Sequence, residues 1–129
     1  MNLLWDTHTV IWYITNDPQL PMSIRNRIES PSYTNFVSLA SYWELSIKYS
    51  IGRLEFKYPL EKVFEIIGES GFEILEITPV HFLKTAQLDF HHRDPFDRLL
   101  IGQSLTEGLP ILSKDGMFKK YKELEVIWE

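Results

Sequence analysis

Short apolar runs alternate with longer stretches whose apolar residues recur at helical spacing, and turn residues separate them at regular intervals. NLLW (residues 2–5) predicts a strand that passes directly into an apolar helix over THTVIWYIT (7–15). DPQLP is a turn, and a short amphipathic helix follows over 23–29. NFVS (35–38) reads as a second strand. The spacing Ser41-x-x-Glu44 is that of a capping box, which predicts a helix opening at Ser41, running to Ser50 and stopped by Gly52. Pro59 sits at the first turn of the next helix, which extends through Ile67 and ends at Gly68 and Gly71. FEILEI (72–77) predicts a strand, and Thr78-Pro79 a cap and first position for a helix ending near Leu88. After the polar loop DFHHR, Asp94-Pro95 opens the most apolar helix, FDRLLIGQSL, which Gly108-Leu109-Pro110 closes. PILS (110–113) is a strand, DGMFKKY (115–121) a short helix and LEVIW (124–128) a last strand.

Strands alternating with helical crossovers predict a mostly parallel sheet with helices on both faces. Strands of four to six residues with continuous apolar character suit burial on both sides. The expected fold is therefore a three-layer α/β/α sandwich. At 129 residues it forms one domain, residues 1–129, with a single sizeable core.

Four acidic residues stand where strand gives way to helix: Asp6, Glu44, Asp97 and Asp115. In an open α/β sheet such groups face one crevice at the carboxyl ends of the strands. Carboxylates gathered there repel one another unless a cation lies between them. An oxygen-only ligand set suits Mg²⁺ or Mn²⁺ rather than zinc or copper, and such an ion can activate water and neutralise a phosphate. The pattern points to a metal-dependent phosphodiesterase, most simply a nuclease that needs no protein base.

Each acid has a plainer reading. Asp6 could be a helix cap, although Thr7 and Thr9 would cap equally well. Glu44 could complete the capping box from Ser41. Asp94 has the place of a cap with Pro95 at the first helical position, which leaves Asp97 one turn in, favoured by the helix dipole, as the ligand. Asp115 too could simply cap. Around these acids, Thr7, Ser113, Lys48 and Asp94 are candidates for outer-shell or substrate contacts; Lys48 either touches RNA or pairs with an acid. His91 and His92 lie in a polar loop without HExxH or a cysteine partner, so they are not read as ligands, and His8 meets at most the edge of the site. Walker A, GxSxG and GxGxxG motifs are missing, so nucleotide-cradle and hydrolase-triad readings lack support.

A net charge of −5 argues against a general nucleic-acid coat. It does not argue against a nuclease whose acids converge on metal, because the ion inverts the local sign. Basic residues are uneven: Lys114, Lys119, Lys120 and Lys122 crowd one stretch, most simply a solvated face, and Arg93 and Arg98 flank DPFD. The chain has no cysteine, no run long enough to span a membrane and no secretory signal, which fits a cytoplasmic location.

LLWDTHTVIWYI, VSLASYWELSIKYSIGRL, HHRDPFDRLLIGQS and ILSKDGMFKKY resemble, in this order, the motif blocks of PIN-domain proteins, and most closely those of VapC toxins from toxin–antitoxin pairs. The resemblance runs nearly end to end. It implies a PIN-like fold, Mg²⁺- or Mn²⁺-dependent endoribonuclease activity, a homodimer and a small antitoxin partner. By motif position it carries the acidic quartet onto Asp6, Glu44, Asp97 and Asp115. The chain departs from the pattern at Trp5, where an aliphatic residue is expected, at Gly102 and Ser104, where alanines are expected, and at Ser113, where threonine is commoner. A glycine inside a helix costs roughly 1 kcal/mol against alanine.

Two rival readings stand beside this one. A receiver-type module phosphorylated on Asp is also a small acidic parallel α/β domain, but NFVSLAS provides no phosphoacceptor at a middle strand. A catalytically inactive binding protein would keep the fold alone, which the complete quartet disfavours. Aromatics make up 14% of the chain. Trp12, Tyr13, Tyr42, Trp43, Tyr49, Phe56 and Tyr58 crowd its first half, more than one small core is expected to hide. The surplus predicts a homodimer and a groove beside the site for an amphipathic antitoxin segment, whose basic side chain reaches the quartet.

Overall fold

The structure, a computed structural model, describes residues 1–54 and 56–128. Five strands form one sheet: β1 (Asn2–Trp5), β2 (Thr34–Ser38), β3 (Glu73–Leu75), β4 (Ile111–Leu112) and β5 (Val126–Ile127). Their order is β3-β2-β1-β4-β5, and every pairing is parallel. The helices are α1 (Thr7–Ile14), α2 (Met22–Ile28), α3 (Leu39–Ser50), α4 (Leu60–Glu69), α5 (Pro79–Ala86) and α6 (Pro95–Glu107), with a 3-10 turn at Gly116–Lys120. Among the described residues no helix is long and apolar enough to cross a membrane.

β1 lies in the middle, so its side chains must be apolar on both faces. Leu3 and Trp5 point to one side with Val37 and Leu112, under Val10 of α1, Ile24 and Ile28 of α2, and Val63 and Ile67 of α4. Leu4 points to the other with Ile111, under Leu100 and Ile101 of α6 and Phe118 of the 3-10 turn. Trp5 ends β1, buried from Leu3 onward, because a pocket of rings receives it, with Tyr13 and Phe72 edge-on at 5.3 and 4.6 Å. Its indole N–H donates to Asn35 Oδ1 at 3.0 Å.

The predicted start of α3 is corrected. The helix begins at Leu39, with Ser38 as its cap and the Ser38 hydroxyl accepting from the Ala40 N–H at 3.0 Å. Strand β2 therefore passes into the helix without a loop, and the Ser41–Glu44 pair lies inside the helix rather than forming a capping box. β3 is shorter than FEILEI. The Glu76 carbonyl that would extend it accepts instead from Gln103 Nε2 at 3.2 Å. Pro59 stands at the cap of α4, which runs through Gly68 to Glu69, and the chain turns at Gly71 with φ +89°.

The two departures in α6 have structural causes. A Cβ on Gly102 would stand 2.1 Å from Thr85 Oγ1 and 3.0 Å from the His81 carbonyl oxygen of α5. The glycine is what lets the two helices touch. The Ser104 hydroxyl donates to the Leu109 carbonyl and closes the turn after Gly108. His81 fastens the same joint. Its Nδ1 accepts from the Thr78 N–H at 3.0 Å, and its Nε2 meets Glu107 at 2.8 Å.

Candidate active site

In the order β3-β2-β1-β4-β5 the chain reverses its direction of travel across the sheet between β1 and β4. A crevice forms outside the carboxyl ends of the strands at such a point. Asp6 follows β1 and Asp115 follows β4, on either side of it.

Asp6 is buried and fully engaged. Its Oδ1 caps α1 by accepting from the Thr9 N–H at 2.7 Å, and its Oδ2 accepts from the Ser113 hydroxyl. Burial raises its pKa above the ordinary 3.8, against the lowering effect of those bonds. Ser113 Oγ also accepts from the Asp115 N–H at 3.0 Å, so one buried serine ties the two junctions together. Asp115 Oδ1 accepts from the Met117 N–H at 2.9 Å and caps the 3-10 turn. Asp6 and Asp115 line a cavity of about 350 Å³ with His8, Trp12 and Lys114.

Glu44 lies more than a turn into α3 and is buried. Thr7 Oγ1 donates to its Oε1 at 2.8 Å, so the 2.9 Å contact between Thr7 and Ser41 must use the Ser41 proton. Lys48 Nζ stands 3.1 Å from Glu44 Oε2, which assigns that lysine to an ion pair. Asp97 occupies the first turn of α6. Asp94 is the cap, its Oδ1 accepting from the Phe96 and Asp97 N–H groups at 2.8 and 3.1 Å.

Burial, and then the charges of Asp94 and Glu44, push the Asp97 carboxyl up to about 6, although the hydrogen bond from His92 pulls the other way. Glu44 and Asp97 therefore share one electrostatic site. Ligand atoms of His92, Asp97 and Asp115 lie within 4.8 Å of one another. Asp6 and Glu44 stand outside that trio of atoms. The first is linked to Asp115 through Ser113, and the second acts on Asp97 through its charge.

The residue missed from the sequence is His92. Its Nε2 is 2.8 Å from Asp97 Oδ2. The signal was its place five residues before Asp97, but the fold-back of a polar loop has no periodicity to read. Arg98, a flanking cation in the sequence, is buried and holds that loop instead of facing solvent. Its Nη1 donates to the Asp89 carbonyl at 3.1 Å and to Tyr121 Oη at 3.2 Å, and its Nη2 to the Thr85 carbonyl at 3.2 Å.

A divalent cation fits these donors. The charges of Asp94 and Glu44 raise the Asp97 carboxyl even though His92 pulls it the other way, and a metal ion would offset that negative charge. The pattern that defines the PIN domain matches residues 3–124. The chain belongs to the PIN domain family.

Comparison with curated protein sequences gives no match. Solved structures place this PIN domain among clear neighbours in fold. A chain of VapBC2 from Rickettsia felis, bound to a DNA fragment from its promoter, superposes with a TM-score of 0.76 at 18% identity, covering 98% of each chain. VapBC-1 from nontypeable Haemophilus influenzae gives 0.72 at 17%, covering 98% of this chain and 97% of its own. VapBC-5 from Mycobacterium tuberculosis, of a family of toxin–antitoxin systems, gives 0.66 at 15%, covering 99% and 98%. At these identities the likeness is one of fold. In this PIN domain Asp6 follows β1, Asp115 follows β4, Asp97 stands in the first turn of α6 and Glu44 lies inside α3.

Proposed function

We propose that this PIN domain is a divalent-metal-dependent endoribonuclease, the toxin of a toxin–antitoxin pair of the VapC type. The observation that carries the reading is the approach of Asp97 and Asp115, with His92, to within 4.8 Å of one another, with Asp6 tied to Asp115 through Ser113 and the charge of Glu44 felt at Asp97. Motif resemblance and the toxin–antitoxin origin of a structural neighbour support it.

Asp6, Asp97, Asp115 and Glu44 would hold Mg²⁺ or Mn²⁺, directly or through water. Once bound, the ion would neutralise the attacked phosphate and activate water. The chain's own residues prepare the place. Ser113 and Thr9 fix both oxygens of Asp6. Thr7 and Lys48 fix both oxygens of Glu44. Asp94 holds the start of α6, and with it Asp97. Lys114 and Trp12 at the cavity offer a phosphate contact and a face on which a base can stack.

The surplus rings divide. Trp12, Tyr13, Tyr42 and Phe56 pack half-buried against the core, whereas Trp43, Tyr49 and Tyr58 stay exposed. That exposed set favours a homodimer. His8, Trp12, Leu54 and Phe56 line a further cavity of about 410 Å³ with Lys48 and Arg53. It shares His8 and Trp12 with the acidic cavity, and it is where an amphipathic antitoxin segment would lie. The domain spans residues 1–129 and works in the cytoplasm. The test is RNA cleavage with Mg²⁺ or Mn²⁺ and in EDTA. Metal-dependent cutting that Asp6→Asn abolishes in a folded protein supports the reading, and full activity in EDTA removes it.

A further inference from the structure

We propose that His92 is a nitrogen ligand of the metal, which makes the site a mixed nitrogen–oxygen centre that favours Mn²⁺ over Mg²⁺. The inference rests on the metal-nuclease reading and deepens it. His92 Nε2 and Asp97 Oδ2 stand 2.8 Å apart. Two atoms bound to one octahedral ion at about 2.1 Å, at right angles, stand roughly 3 Å apart. Asp115 supplies a third atom, and all three lie within 4.8 Å of one another. An octahedral shell of that bond length is roughly 4.2 Å across, so shifts of under about 1 Å close it.

The imidazole is held where a ligand must be. The His92 N–H donates to Tyr121 Oη at 3.2 Å, and the same hydroxyl accepts from Arg98 of α6 at 3.2 Å. The ring lies edge-on to the buried Phe118, 6.2 Å between centroids. Asp97 and the clamp on the His92 loop thus belong to one helix. The ring's Nδ1 lies 3.5 Å from the Asp94 N–H, too long for a firm hydrogen bond to hold the ring in another orientation. Mg²⁺ prefers oxygen donors and gives up water reluctantly, whereas imidazole suits later divalent ions better.

The test is pulsed electron paramagnetic resonance of the Mn²⁺-loaded protein. Directly bound ¹⁴N should give a hyperfine coupling that becomes a ¹⁵N coupling when histidine is ¹⁵N-labelled. It should vanish in His92→Gln, which keeps an oxygen donor, and survive in His8→Gln and His91→Gln. The last two, with His81 buried and engaged by Thr78 and Glu107 in the α5–α6 joint, leave His92 as the ligand even if His92→Gln does not fold. In calorimetric titration His92→Gln should raise the Mn²⁺ Kd by about tenfold or more and the Mg²⁺ Kd much less. Mn²⁺ bound without nitrogen coupling, or with a coupling that persists in His92→Gln, overturns the inference and leaves the nuclease reading standing. Failure of the wild-type protein to bind Mn²⁺ overturns both.

Discussion

Asp97→Asn should stabilise the metal-free protein at neutral pH and abolish its response to metal. In the folded chain this carboxyl is raised from 3.8 to about 6 by burial and by the charges of Asp94 and Glu44. The folded state therefore holds the proton more tightly than the unfolded state does. Stability from this group is fully present below pH 3.8 and is lost as pH rises to about 6. Each pKa unit corresponds to about 1.4 kcal/mol, so the ionised group costs the fold about 3 kcal/mol above that window. Asparagine carries no charge, and its Oδ1 can still accept from His92 Nε2. It forgoes a favourable interaction with the α6 dipole of roughly 0.3–1 kcal/mol. The net gain expected at pH 7.5 in EDTA is about 2 kcal/mol, a rise in Tm of very roughly 5–10 °C for a chain of this length. At pH 5, inside that window, about half of the difference should have gone. Saturating Mn²⁺ should reverse the order, since an ion at a hundred times its Kd stabilises the wild type by about 2.7 kcal/mol. Urea titrations at pH 5 and 7.5, with EDTA or Mn²⁺, measure all four quantities. A variant less stable than wild type at pH 7.5 in EDTA, or a gain equal at both pH values, would refute the electrostatic argument.

Glu44→Gln should lower the RNA cleavage rate at least tenfold, about 1.4 kcal/mol in barrier, with Tm nearly unchanged; wild-type turnover would remove Glu44 from the site. Gly102→Ala gains about 1 kcal/mol of helix propensity but overpacks the α5–α6 contact by about 1–3 kcal/mol. Chemical denaturation should show a net loss of about 1 kcal/mol that Thr85→Ala largely restores, and an unaffected single variant would mean that α5 yields freely. Light scattering at micromolar concentration should show a dimer, which Trp43→Ser or Tyr49→Ser weakens; a strict monomer excludes the exposed rings as its interface.

The five strands and their parallel pairing could be read from apolar runs because a sheet covered on both faces admits little else at those positions. Caps at Asp94 and Thr78 were readable for a similar local reason, since a proline follows each. The capping box at Ser41 was misread because the same spacing occurs inside a helix, where Ser41 and Glu44 meet Thr7 instead. The acids announce themselves as charges at strand ends. Whether they meet depends on backbone between them that no periodicity describes. His92 shows this most clearly. A two-histidine loop carries no pattern, and its path is set by Arg98 in the helix that follows and by Tyr121, a residue distant from it in sequence.

The central position of β1 has a consequence in time. Leu4 pairs with Ile111, and Asp6 is held by Ser113. β1 thus waits for β4, made more than a hundred residues later, and the acid that follows it gains its hydroxyl partner only then. Contacts of such long range are slow to form, because loop closure must come before they can reward it. A nascent chain shorter than about 110 residues has Asp6 and Glu44 but neither β4 nor Asp115. It cannot assemble the crevice. Synthesis itself keeps Asp6 apart from Asp115 until β4 and the turn after it are made, and any partner that recognises the finished site meets it only after that moment.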